Sequence, residues 1–174
     1  MTPTDVLREE HRVILRALDL LEVAARRLAA GRPLPEEWWA AIIAWLRGFA
    51  DTNHHAKEER SLFPAMVKAG VPLSGGPIGV MLEEHERGRA LIRAMEAGEG
   101  SACAARAREY VTLLREHIDK ENGVLFPLAD AVLDEAAQRG LGREFEAVLA
   151  EQGREASIPH AEAAIERLGA ALKD

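Results

Sequence analysis

The chain has 174 residues, a formal net charge of −7, 48% hydrophobic residues and one cysteine. These values describe a single domain able to bury a full core, and the acidic balance, with pI about 5.4, argues against a nucleic-acid partner. Cys103 alone rules out an internal disulfide, "WWAAIIAWL" is too short to cross a membrane, and "MTPTDVLREEHR" holds no apolar signal core, so a cytoplasmic protein is expected.

Ala, Leu, Glu and Arg dominate, which favours helix. The first helical segment is capped at Thr4 or Asp5 and runs to about Ala30, stopping at "GRP". Val6 or Leu7, His11, Ile14, Leu18, Leu21, Ala25 and Leu28 form its apolar stripe. "PLPEEWW" opens the second segment, whose stripe is Trp38, Ile42, Trp45, Phe49, Thr52, His55 or Ala56, Glu59, Leu62 and Met66. After the turn-formers "GVPLSGGP", a third segment places Ile78, Met81, His85, Gly88, Ile92 and Met95 on one face. "AGEGS" breaks it, and Ser101 could cap a fourth, striped by Cys103, Ala107, Tyr110, Leu114, His117, Glu121, Val124 or Leu125, and Leu128. "AAQRGLG" at 136–142 marks a further break before a tail with Phe145, Val148, Leu149, Ile158, Ile165, Leu168 and Leu172. The expected architecture is all-α: an up-down four-helix bundle over 1–135, with a short C-terminal helical extension, 136–174, packed on it as one or two helices.

Each stripe carries a His where an apolar residue belongs: His11, His55, His85 and His117. Glu59 and Glu121 follow two of them by one turn, so each pair shares a helix face. One inward His is most simply a hydrogen-bonded core residue, but four with two buried carboxylates need a common partner. Imidazoles and carboxylates are the ligand mix of iron, manganese or zinc, and six ligands exceed one tetrahedral zinc site. They fit two metals. The pairs lie in "HHAKEERSLFP" (54–64) and "HIDKENGVLFP" (117–127), so the second and fourth helices face each other across the centre. Leu62, Phe63, Leu125 and Phe126 are expected as its dry floor, with Pro64 and Pro127 bending or ending the helices.

"EEHR" around His11, "HHAKEERSLFP", "EEHERGR" around His85 and "HIDKENGVLFP" together resemble the hemerythrin-like HHE cation-binding family, over roughly 5–130. The resemblance implies a four-helix bundle with an oxo- or hydroxo-bridged centre of two iron ions. Manganese or zinc stay open as alternatives. It further implies a protein that binds or senses oxygen, nitric oxide or redox state, or else an enzyme reacting with oxygen, peroxide or nitric oxide, or an iron-handling protein. Oxygen-carrying hemerythrins place a second His one turn before the third-helix His, and here that residue is Met81; their fourth-helix motif is His-x4-Asp, and here it is His117-x3-Glu121. Four His instead of five leave an open position at one metal.

Other residues are assigned by elimination. His54 with Glu58 is the alternative to His55 with Glu59; the Leu-Phe-Pro alignment and the Trp45–Phe49–Thr52 stripe favour the latter, with His54 on the solvent side. Tyr110 reads as a core aromatic, or more sharply as a phenolate beside the metal; His160 reads as exposed. Glu10 and Glu84 point about 100° away from the His that follows each, toward outer positions.

Overall fold

The computed structural model describes residues 1–173; position 174, the end of the expected tail, lies outside them. Helix α1 (Pro3–Ala29) is capped at Thr2, two or three residues before the expected cap. Thr2 closes a capping box, its hydroxyl accepting from the Asp5 N–H while the Asp5 carboxylate accepts from the Thr2 N–H. The second helix begins as α2 (Glu36–Trp45), widens into π-helical turns at Leu46–His55 and Glu58–Leu62, and ends as α3 (Phe63–Lys68). Helix α4 (Pro77–Ala97) follows. Helix α5 (Gly100–Lys120), which contains Ser101 rather than being capped by it, passes through a π turn at Glu121–Leu125 into α6 (Phe126–Val132).

The prolines of both Leu-Phe-Pro motifs neither end their helices nor point inward. Pro64 and Pro127 have no N–H and crowd the carbonyl four residues back, so the turn just before each opens to the wider π spacing. Those two turns carry Glu58 and Glu121. In the first π segment, the Thr52 hydroxyl donates to the Arg47 carbonyl at 2.8 Å, so Thr52 is turned outward.

The four long elements close a ring: α1 packs on α5 and on the Leu46–His55 turns, and α4 packs on the same two. No strand occurs among the described residues. Helix α7 (Glu135–Gln152) runs straight through "AAQRGLG", correcting the expected break. Its two glycines cost about 1 kcal/mol each against Ala; Asp134 caps the helix onto the Ala137 N–H, and Leu141, Phe145 and Val148 are buried along it. The chain turns at Gly153 (φ 78°), where a left-handed backbone suits glycine. After a short 3-10 turn, α8 (Ile158–Ala170) lies on α1 and α2. Two indoles hold it: Trp38 donates to the Leu168 carbonyl at 3.0 Å and Trp45 to the Ala161 carbonyl at 3.2 Å.

The apolar core comes in two pieces. One contains Ile14, Leu18, Ile42, Leu46, Ile92, Leu114 and Ile118; the other contains Leu7, Leu62, Phe63, Ile78, Met81, Leu125 and Phe126. In every one of the four long elements, the inward His falls between a residue of one cluster and a residue of the other. Met81 belongs to the second cluster.

Candidate metal centre

Two donor groups occupy the layer between the clusters. His55, Glu58, His85 and His117 form one, and His11, His54, Glu58 and Glu121 form the other; within each, the donor atoms lie within 4.8 Å of one another. All seven residues are buried. Five of the six residues expected from sequence are thus brought together: His11, His55, His85, His117 and Glu121. Glu59 is not. It is half-exposed and turned away from both groups, accepting from His85 Nδ1 at 2.7 Å and from Arg89 at 2.7 Å.

Glu58 takes the inward place, and His54 joins it. His54, expected on the solvent side, is 1% exposed. The π turns explain both shifts. From Phe49 the inward stripe steps five residues to His54, then four to Glu58 and four to Leu62, whereas α-helical steps lead to Thr52, His55 and Glu59. The widened turn carries both His54 and His55 into the core. The centre therefore has five imidazoles where the sequence led us to expect four.

Glu58 belongs to both groups, and Glu121, a member of the second, reaches His117 of the first. Glu58 Oε1 lies 3.5 Å from His54 Nε2 and its Oε2 lies 3.3 Å from His85 Nε2. Glu121 Oε2 lies 3.1 Å from His11 Nε2 and its Oε1 lies 3.2 Å from His117 Nε2. All four carboxylate oxygens, with Nε2 of His11 and of His54, are buried without a hydrogen-bond partner. Burial and the facing Glu121 carboxylate push the Glu58 carboxyl well above its ordinary range. Burial acts on Glu121 in the same direction, but His117 and His11 overcome it and hold that carboxyl low. Two dry carboxylates face to face are costly without a cation between them.

Every imidazole is held from outside by its other nitrogen. His11 Nδ1 pairs with Asn122 Oδ1 at 2.9 Å, His54 with Glu10 at 2.9 Å, His55 with Asp51 at 3.2 Å, His85 with Glu59 and His117 with Glu84 at 2.9 Å. Lys57 and Lys120 in turn clamp Glu10 and Glu84. Burial raises these four carboxyls, but their His and cation partners outweigh it and keep each below its usual range, Asp51 at about 2. Burial pushes His54 and His55 down to about 3, toward the neutral form that binds metal. Against burial, Glu121 and Glu84 lift His117 to about 9. Imidazoles fixed through Nδ1 and aimed through Nε2 are the arrangement metal-binding histidines adopt.

The chain repeats this device. Glu10-His11 with His54, Lys57 and Glu58 matches Glu84-His85 with His117, Lys120 and Glu121. Each inward Glu is followed by the residue that holds the single His of the other half: Glu59 for His85, Asn122 for His11.

A cavity of about 350 Å³ reaches His55 and His85 from solvent past Arg89, Ile92, Gly88 and Tyr110. Tyr110 is in neither donor group; burial, with Asp51 nearby, raises its phenol and keeps it protonated. His160 is exposed. No described helix is long and apolar enough to cross a membrane.

The hemerythrin HHE cation-binding domain model matches residues 2–129. The chain belongs to the hemerythrin HHE cation-binding family. The matched stretch contains all five His and both Glu of this hemerythrin-like centre. Similar proteins include the iron-sulfur cluster repair protein YtfE of Yersinia pseudotuberculosis, 32% identical over 70% of this chain and 60% of that protein. Another is the uncharacterized protein Rv1995 of Mycobacterium tuberculosis, 28% identical over 83% of this chain and 59% of that one. The chain thus spans about three fifths of the length of these curated relatives. No solved structure matches it at a significant level.

Proposed function

We propose that this hemerythrin-like chain holds two iron ions in the bundle core and uses them to bind or sense oxygen, nitric oxide or peroxide. In this reading His55, His85 and His117 would hold one iron, His11 and His54 would hold the other, and Glu58 and Glu121 would supply carboxylate ligands between them. The observation that carries the reading is the set of buried imidazoles and carboxylates converging from four helices, six of whose inward atoms have no hydrogen-bond partner, with each imidazole braced from behind. Iron at these places would supply redox equivalents and an exchangeable coordination position. The chain's own part is to keep the ligands dry and fixed.

The unequal count of histidines supports small-molecule binding. One group has three imidazoles and the other two, and the place that would match His55 in the repeat is taken by buried Ile118. A metal at the group short of one imidazole would have a coordination position that no histidine fills.

A second reading comes from the relatives named for iron-sulfur cluster repair. There the same centre would give up iron to a damaged cluster rather than retain it. Elemental analysis of protein purified without added metal, with visible spectra before and after reduction and re-exposure to air, tests the first reading. About two irons per chain with a band that bleaches and returns supports it; no metal, or zinc alone, overturns it. Loss of iron to a cluster-free acceptor protein on mixing would favour repair.

A further inference from the structure

The two halves of the repeat are alike in their inward ligands and unlike behind them. Behind the three-His group stands Arg89, one turn after His85. Its Nε donates to Asp51 Oδ1 at 2.9 Å and its Nη2 to Glu59 Oε1 at 2.7 Å. Those are the same two oxygens that accept from His55 Nδ1 and His85 Nδ1. A single guanidinium therefore braces two of that group's three imidazoles through two carboxylates, a fork only Arg can span. With Glu84 on His117, all three imidazoles lean on carboxylates.

The two-His group has no such clamp. The residues matching Asp51, His55 and Arg89 in the repeat are Leu114, Ile118 and Leu15. Here only His54 leans on a carboxylate, Glu10, while His11 leans on the neutral amide of Asn122. Carboxylate-braced imidazoles are the more basic and better oriented ligands.

We infer that the two metal positions are unequal and fill in order, the His55–His85–His117 position first, with Arg89 as the positioning residue that sets its affinity. The inference rests on the two-metal reading above. Arg89 touches no metal-facing atom; it acts through Asp51 and Glu59.

The test is stepwise titration of the full, chelator-stripped chain with cobalt(II), followed by calorimetry and by the visible spectrum of the bound ion. The wild type should show two classes of one site each. Arg89→Gln should weaken the tight class about 10–100-fold, the usual effect of removing an outer partner, and leave the weak class in place. Arg89→Lys, which reaches one carboxylate but not both, should fall between. Asp51→Asn removes less of the ion-pair network and should weaken the same class, so the test survives if an Arg89 variant folds poorly. Glu10→Gln should weaken only the second class. A single class of two equal sites in the wild type, or Arg89→Gln and Glu10→Gln each weakening both classes alike, overturns the inference and leaves the two-metal reading standing. A wild-type chain that takes up no cobalt overturns both.

Discussion

Glu58 and Glu59 are neighbours, yet their substitution should have opposite consequences. Both oxygens of Glu58 are buried and unpartnered between the donor groups, whereas Glu59 is half-exposed and held by His85 and Arg89. Glu58→Gln keeps the shape and removes the bridging charge. With metal at about 100 times its Kd, each occupied site adds about 2.7 kcal/mol to stability. Losing one such term lowers Tm by roughly 5–11 °C in a chain of this size. In excess chelator the sign should change. Burial and Glu121 make an ionised Glu58 costly, and a neutral amide avoids that cost, so Tm should hold or rise. Glu59→Gln should keep both metals with affinity lowered about 10–100-fold, near 1.4–2.7 kcal/mol. The assay is metal per chain by elemental analysis, with thermal melts of both variants with and without chelator. Retention of two metals by Glu58→Gln together with their loss from Glu59→Gln would refute the assignment of the bridge.

Four further outcomes are expected. Phe126 is fully buried and stacks on His11 with ring centroids 5.3 Å apart, so Phe126→Ala should cost about 3–5 kcal/mol in thermal or denaturant unfolding. Replacing Trp38 and Trp45 together by Phe removes both indole bonds to α8, and amide exchange there should speed up while the α1 and α5 amides stay protected. Gly88 lies inside α4, and an added Cβ would meet Leu114 and Tyr110 at 3.6 Å, ordinary contact distance; Gly88→Ala should raise stability by about 0.5–1 kcal/mol, read from the denaturant midpoint. Tyr110 is the only tyrosine, and burial holds its phenol above the free value of about 10. The unfolded chain therefore releases that proton first, and stability should fall as pH rises above 10; tyrosinate absorbance should appear with unfolding and not before it.

The four-helix layout was legible because alternating steps of three and four are a long, redundant signal, and the inward His interrupts each stripe at one place. Glu121 and His117 were legible for the same reason. His54 and Glu58 were misplaced by continuing an α-helical step through a segment that is π-helical, where one extra residue per turn rotates the following side chains by most of a residue's angle. The Leu-Phe-Pro alignment, taken above to favour His55 with Glu59, selects the other pair when counted: His54 and His117 each stand eight residues before the Leu of Leu-Phe-Pro, and Glu58 and Glu121 each stand four before it. Counting back from the motif, which fixes the π turn through its proline, selects the inward pair without assuming the helix type. The Nδ1 partners were less legible: Asp51 and Glu59, like the Arg89 that joins them, resemble any charged helix surface until two helices are placed side by side. The tail's break was misread because glycine lowers helix propensity only modestly, and packing of Leu141 and Phe145 decides the matter.

The duplicated device bears on how such a centre could be assembled at all. A helical hairpin carrying one Glu-His and one His-x2-Lys-Glu, paired with an identical copy across a two-fold axis, would present the same two carboxylates and four imidazoles, because an isologous interface gives every contact twice. What such a pair cannot do is make one metal differ from the other, since any residue placed behind one is placed behind both. Joining the hairpins in a single chain lifts that constraint. His55 without a second His, Glu59 opposite Asn122, and Arg89 opposite Leu15 are differences available only to a covalent dimer.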